Sequence, residues 1–157
     1  MEKRATLERA SEFGIAAGLR SMAGPALLSQ HLSERPMWEL DSPAERMLAH
    51  PAAQILLGLG ALGELVGDKL PSTPSRLEPR SLVFRAICGA IGGGVLMHRA
   101  RRPPLLGAAL GALGAVGGAS VGYHARKAIA RQGVPDAAVA VVEDVFSIAI
   151  AQRAIRG

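Results

Sequence analysis

Residues 104–122, PLLGAALGALGAVGGASVG, form nineteen consecutive positions without a charge, and Ser120 is the one polar side chain among them. A run of that length suits the hydrocarbon core of a bilayer, about 30 Å thick. Gly107, Gly111, Gly114, Gly118 and Gly122 recur along it at spacings of 4, 3, 4 and 4, one continuous stripe on a helix. In water each interior glycine costs a helix roughly 1 kcal/mol relative to alanine, so five oppose it by about 5 kcal/mol. Lipid reverses that balance, because unbonded backbone groups cost more there and a helix satisfies them. The stripe then becomes a surface on which other helix backbones can approach closely.

The rest of the chain fits the same setting. Hydrophobic residues make up 49% of it, yet aromatics only 3%, and there are 19 glycines. Soluble cores draw much of their burial from large side chains, whereas membrane bundles are packed through small ones. The expected fold is all-α, a polytopic membrane bundle of four to five glycine-rich helices, some broken or re-entrant, in one domain covering residues 1–157. The helices are placed at 8–29, 51–69, 81–98, 104–123 and 135–155, with a polar loop at 30–50. The net charge of +5 is dispersed among apolar runs and not gathered into a basic stripe with aromatics, which argues against a nucleic-acid partner. Cys88 is the sole cysteine, so it forms no intrachain disulfide. The N-terminal stretch MEKRATLERASE mixes acids and bases with no apolar run and cleavage site behind it, so no cleaved signal peptide is expected.

Between its helices the chain carries punctuation with physical meaning. Pro25 lies inside the first apolar run and predicts a kink or a break there. In the polar loop, Ser42-Pro43-Ala44-Glu45 has the order of a capping box, and Trp38 is placed as an interfacial anchor. Tyr123 to Val134 is basic and read as a connection. FGIAAGLRSMAG at 13–24 echoes FSIAIAQRAIRG at 146–157, and LRSMAG at 19–24 echoes FRAICG at 84–89, the kind of faint internal similarity that transporter repeats leave. Basic residues divide almost evenly between the two sets of loops, so orientation stays open.

Charges inside apolar runs are the candidates for chemistry. In GALGELVGDKLP, residues 60–71, Gly60, Glu64 and Asp68 fall at i, i+4 and i+8 and share one helix face, with Lys69 alongside. Glu143 and Asp144 lie near the centre of the last helix. Ala140, Asp144, Ser147 and Ala151 make a small and polar stripe there, so Asp144 is the one expected to face inward. Each such charge costs about 2.5–3.5 kcal/mol near the bilayer centre unless it is paired, hydrated or bound to something. Glu64, Asp68, Glu143 and Asp144 are therefore the candidate binding carboxylates for an ion or small solute, and Lys69, Arg20 and Arg85 their charge partners. Carboxylate oxygens suit hard cations, though no metal is specified by the sequence.

No nucleophile elbow, phosphate-binding loop or spaced histidine set appears among His31, His50, His98 and His124, so neither an enzyme nor a cofactor is expected. AAGLRSMAGPALL, GELVGDKLP, YHARKA and VVEDVFSIAIA, in that order, resemble a family of small bacterial membrane proteins, domain of unknown function 4126. The resemblance covers most of the chain and implies a multi-helix integral membrane protein, without supplying an activity. The segments PSTPSRLEPR and FRAICGAI depart from the family pattern. Two readings follow: a protein of the inner membrane that moves or gates an ion or small polar solute through its carboxylates, or an assembly protein whose glycine stripes pack against a partner or a second copy, its charges forming salt bridges only. The bilayer is the one partner both readings share.

Overall fold

Pro25, Pro43, Pro51, Pro79 and Pro104 all stand in the first turn of a helix, where the missing N–H would have had no partner in any case. The computed structural model describes residues 2–67, 77–132 and 134–157. Among them are seven α-helices, α1 (Glu2–Leu19), α2 (Ala23–Ser33), α3 (Pro43–Ala49), α4 (Pro51–Gly67), α5 (Pro79–Arg99), α6 (Pro104–Ala130) and α7 (Asp136–Arg156), with a 3-10 turn at Met37–Glu39. The described residues include no strand. The fold is all-α.

α5 and α6 are each long and apolar enough to cross a membrane, and α3 with α4, bent by 68°, pass the same test as a pair. The distribution of side chains agrees. Leu105, Leu113 and Val121 on α6 are 84%, 69% and 68% exposed, while the arginines Arg20 and Arg85 are buried. Large apolar groups outside and charges inside is the arrangement a lipid solvent favours. Both features are those of a membrane protein.

α6 packs against both α1 and α5, which also touch each other, and glycine sets how closely. A Cβ added at Gly93 or Gly107 would strike the backbone of the other, and one at Gly89 or Gly14 would strike the Gly111 carbonyl. On the α1 side, a Cβ at Gly114 would come 2.5 Å from the Ser11 carbonyl oxygen, and one at Gly118 equally close to that of Ile15. Gly107, Gly111, Gly118 and Gly122 are buried. These pairings run α5 antiparallel and α1 parallel to α6.

Several expected boundaries are corrected. The run 8–29 is two helices, because Pro25 cannot donate to residue 21 and its ring excludes the turn before it. Residues 30–50 are not a loop: α2 continues to Ser33, and Ser42 caps α3 in the expected capping box, its Oγ accepting from Glu45 N while Glu45 accepts from Ser42 N. The span drawn as 104–123 runs on to Ala130, so most of the basic connection after Tyr123 is helical.

α1 and α2 form a hairpin. α1 runs antiparallel to α7: Arg9 donates to the carbonyls of Ala154 and Ile155, Ser147 Oγ donates to Ala16 O, and Arg20 reaches Asp144. α2 runs the other way, since Ala23 and Leu27 lie near Asp144 and Ile148, whereas His31 and Glu34 lie near Gln152 and Arg156. The hairpin tip, residues 20–22, thus sits beside Asp144, twelve residues or about 18 Å before the end of α7.

Candidate functional site

A helix that stops inside a bundle leaves its last carbonyls and the next helix's first N–H groups without intrahelical partners. At the hairpin tip members of both sets are held by charged side chains from other helices. Gly60 brings α4 against Met22, whose Cε would lie 2.5 Å from a Cβ added there. One turn later Glu64 Oε1 accepts from Ser21 N and Ser21 Oγ, both at 2.8 Å, and Oε2 accepts from Met22 N at 2.9 Å. The carboxylate therefore sits at the positive end of α2. From α5, Arg85 Nη1 donates to Gly18 O at 2.9 Å and Leu19 O at 3.2 Å, the negative end of α1. Its Nη2 lies 3.3 Å from Glu64 Oε1, and Ser81 Oγ, one turn back on α5, accepts from Nε at 3.4 Å.

The second pair joins the tip to α7. Arg20 Nε donates to Asp144 Oδ1, with the arginine side chain 2% and the aspartate 15% exposed. Ala140, Ser147 and Ala151 on the same α7 stripe are fully buried, which aims Asp144 inward. Arg20, Glu64 and Asp144 line one cavity of about 160 Å³, otherwise walled by apolar residues such as Leu65 and Ile148. That volume holds several water molecules or one small solute. Among the described residues the cluster has two arginines and two carboxylates, equal and opposite charge, the balance a low-dielectric interior tolerates best.

Of the candidate residues, Glu64, Asp144, Arg20 and Arg85 converge at the tip. Glu143 does not line the cavity; it is half-buried on the neighbouring face of α7. Asp68 and Lys69 lie outside the described residues. Among the described residues, no three His, Cys, Asp or Glu side chains group as metal ligands would. Ser21, Met22 and Ser81 contribute without having been singled out for chemistry. The signal for Ser21 is its place between Arg20 and Pro25, where the helix has to stop.

The family model described as "Domain of unknown function (DUF4126)" matches residues 10–156. The chain belongs to this family. No curated protein and no solved structure matches it. The matched segment takes in the hairpin from Ala10 onward and each of the four charged residues at its tip. In this DUF4126 protein the two ion pairs draw on three helices and the break itself, so the site exists only once the bundle has assembled.

Proposed function

We propose that this protein resides in the inner membrane and moves or gates a small polar solute or ion at the tip of the α1–α2 hairpin. In this reading α4, α5, α6 and α7 cross the bilayer, and the hairpin is re-entrant. The observation that carries the proposal is the convergence of Glu64, Arg85, Arg20 and Asp144 on one helix break beside a small cavity. Broken helices whose freed backbone groups face a polar site near the membrane middle are how many transporters bind substrate without dehydrating it at full cost. Here the charges are closed on one another. Glu64 occupies the N–H groups of Ser21 and Met22, and release of that carboxylate, by a proton or by a competing solute, would open both those donors and Arg85. The reading assigns no enzymatic reaction, no cofactor and no nucleic-acid partner.

The test is flux. Protein reconstituted in liposomes, challenged in turn with gradients of protons, alkali and divalent cations, halides and small carboxylates, is expected to raise the permeability to one class. Glu64→Gln or Asp144→Asn should reduce that flux at least tenfold while the protein still inserts and folds. Flux equal to wild type in both variants would refute it.

A second reading has its own support. Both ion pairs and both helix ends are fully engaged, and the α1, α5 and α6 backbones meet along glycine seams. An assembly protein stabilised in this way, alone or as a homo-oligomer, would lose stability or complex recovery on charge removal and would show no solute dependence.

A further inference from the structure

α2, α3, α4 and α5 do not close on one another. Between them is a slot of about 800 Å³, walled by Phe13, Leu28, Leu57, Phe84 and Ile91 among others. Its volume falls within the roughly 300–1,000 Å³ of ordinary small-molecule pockets. The slot is long: on α5 it extends from Phe84 to Ile91, seven residues or about 10 Å. It also opens sideways, since Leu56, Phe84 and Ile87 line it and remain well exposed on the apolar outer surface.

One end is chemically distinct. There Arg46 and His50, on and just after α3, join the lining, and no carboxylate does. Arg46 Nε donates to Leu40 O at 3.0 Å, which leaves both terminal nitrogens without a partner among the described residues. His50 Nδ1 accepts from Ala52 N at 3.2 Å, placing the ring proton on Nε2 as a second donor. Trp38 stands beside Met37, another lining residue, and is 83% exposed, as an aromatic at a headgroup level would be.

We propose that this slot binds one acyl chain of an anionic bilayer lipid, with the lipid phosphate held by Arg46 and His50. An apolar channel reached from the lipid side, capped by two donors and free of acidic groups, fits a chain with a negative head and disfavours a zwitterionic one. The far end of the slot touches the hairpin tip. Met22 lines it with its side chain, while its N–H is held by Glu64. Lipid occupancy thereby bears on the same backbone that carries the charged site.

Trp38 is the single tryptophan and supplies the readout. Delipidated protein in detergent is titrated with phosphatidylglycerol carrying dibrominated acyl chains, and with the matching phosphatidylcholine, while Trp38 quenching is followed. Phosphatidylglycerol should saturate near one lipid per protein, at a concentration at least tenfold lower than phosphatidylcholine. Arg46→Gln, a change at an exposed side chain, should remove that preference; Ala53→Phe, which fills the slot and keeps the rim, should remove saturable quenching by both lipids. Equal quenching by the two lipids, or a preference that survives Arg46→Gln, overturns the proposal. Tighter binding of dibromostearate than of phosphatidylglycerol also overturns it, in favour of a free fatty acid.

Discussion

Glu64 and Arg85, 3.3 Å apart, hold opposite ends of one helix break: the carboxylate takes the N–H groups of Ser21 and Met22, and the guanidinium takes the carbonyls of Gly18 and Leu19. Each charge thus has two tasks, pairing with the other and capping a backbone end that the helix itself cannot satisfy. A side chain that lost one task would still be needed for the second.

Glu64→Ala is therefore expected to cost more than a surface ion pair. It leaves Arg85 underpaired and two N–H groups bare in a buried site, a loss of about 3–5 kcal/mol for removing one partner of a buried pair. Glu64→Gln keeps an acceptor oxygen for the backbone and should cost distinctly less. Equilibrium unfolding in mixed micelles measures both; equal losses would contradict the dual role.

The pair on the other side of the tip calls for a double-mutant cycle. Asp144→Leu alone takes the carboxylate from the buried Arg20 guanidinium, Arg20→Met alone takes the cation from Asp144, and the two together remove both charges and their desolvation. The double variant is expected to be more stable than the Asp144→Leu single, because replacing a buried pair by apolar groups is often neutral or better. Unfolding free energies of the four proteins settle the coupling, and additive effects would show that the two residues do not interact.

Glycine substitutions should separate sharply by position. Gly111→Val puts a branched side chain where a Cβ already meets the Gly89 backbone, and α5, α6 and α1 cannot all remain in place. Loss of the monodisperse folded form is expected on gel filtration. At Gly117 an added Cβ meets nothing within 4 Å. Gly117→Ala should leave the protein intact and raise its thermal stability slightly, by the roughly 1 kcal/mol that alanine gains over glycine in a helix.

Much of this organisation was legible in the sequence, and the limits have physical causes. The uncharged glycine run of α6 marked a membrane helix because length and the absence of charge are one-dimensional properties. The capping box at Ser42 and the inward stripe of Asp144 followed from spacing within one turn or two. The direction of α2 did not, because Pro25 marks where a helix cannot continue and is silent on which way the chain turns afterwards. Only contacts with α7, more than a hundred residues away, show that the chain reverses. The caps at residues 18–22 were hidden for the same reason, since backbone groups are present at every residue and only the fold shows which are left over.

Reversal at the tip places both ends of the hairpin on one side. The single native cysteine permits a clean test: in a Cys88→Ala background, Ala5→Cys and Glu34→Cys should react with an impermeant maleimide from the same face of sealed vesicles. Labelling from opposite faces would make α1 and α2 together a spanning element and remove the re-entrant hairpin.

The central claim is that water and solute reach the charged tip, and Ser21 reports on it most directly. Ser21→Cys in the Cys88→Ala background preserves a small donor next to Glu64, and its modification by a small charged methanethiosulfonate is compared with that of Ala119→Cys, buried in the α1–α6 seam. Modification of the tip cysteine at least tenfold faster than that of the seam cysteine is expected. If the two are equally inert, the charges at the tip are dry salt bridges, and the transport reading is contradicted.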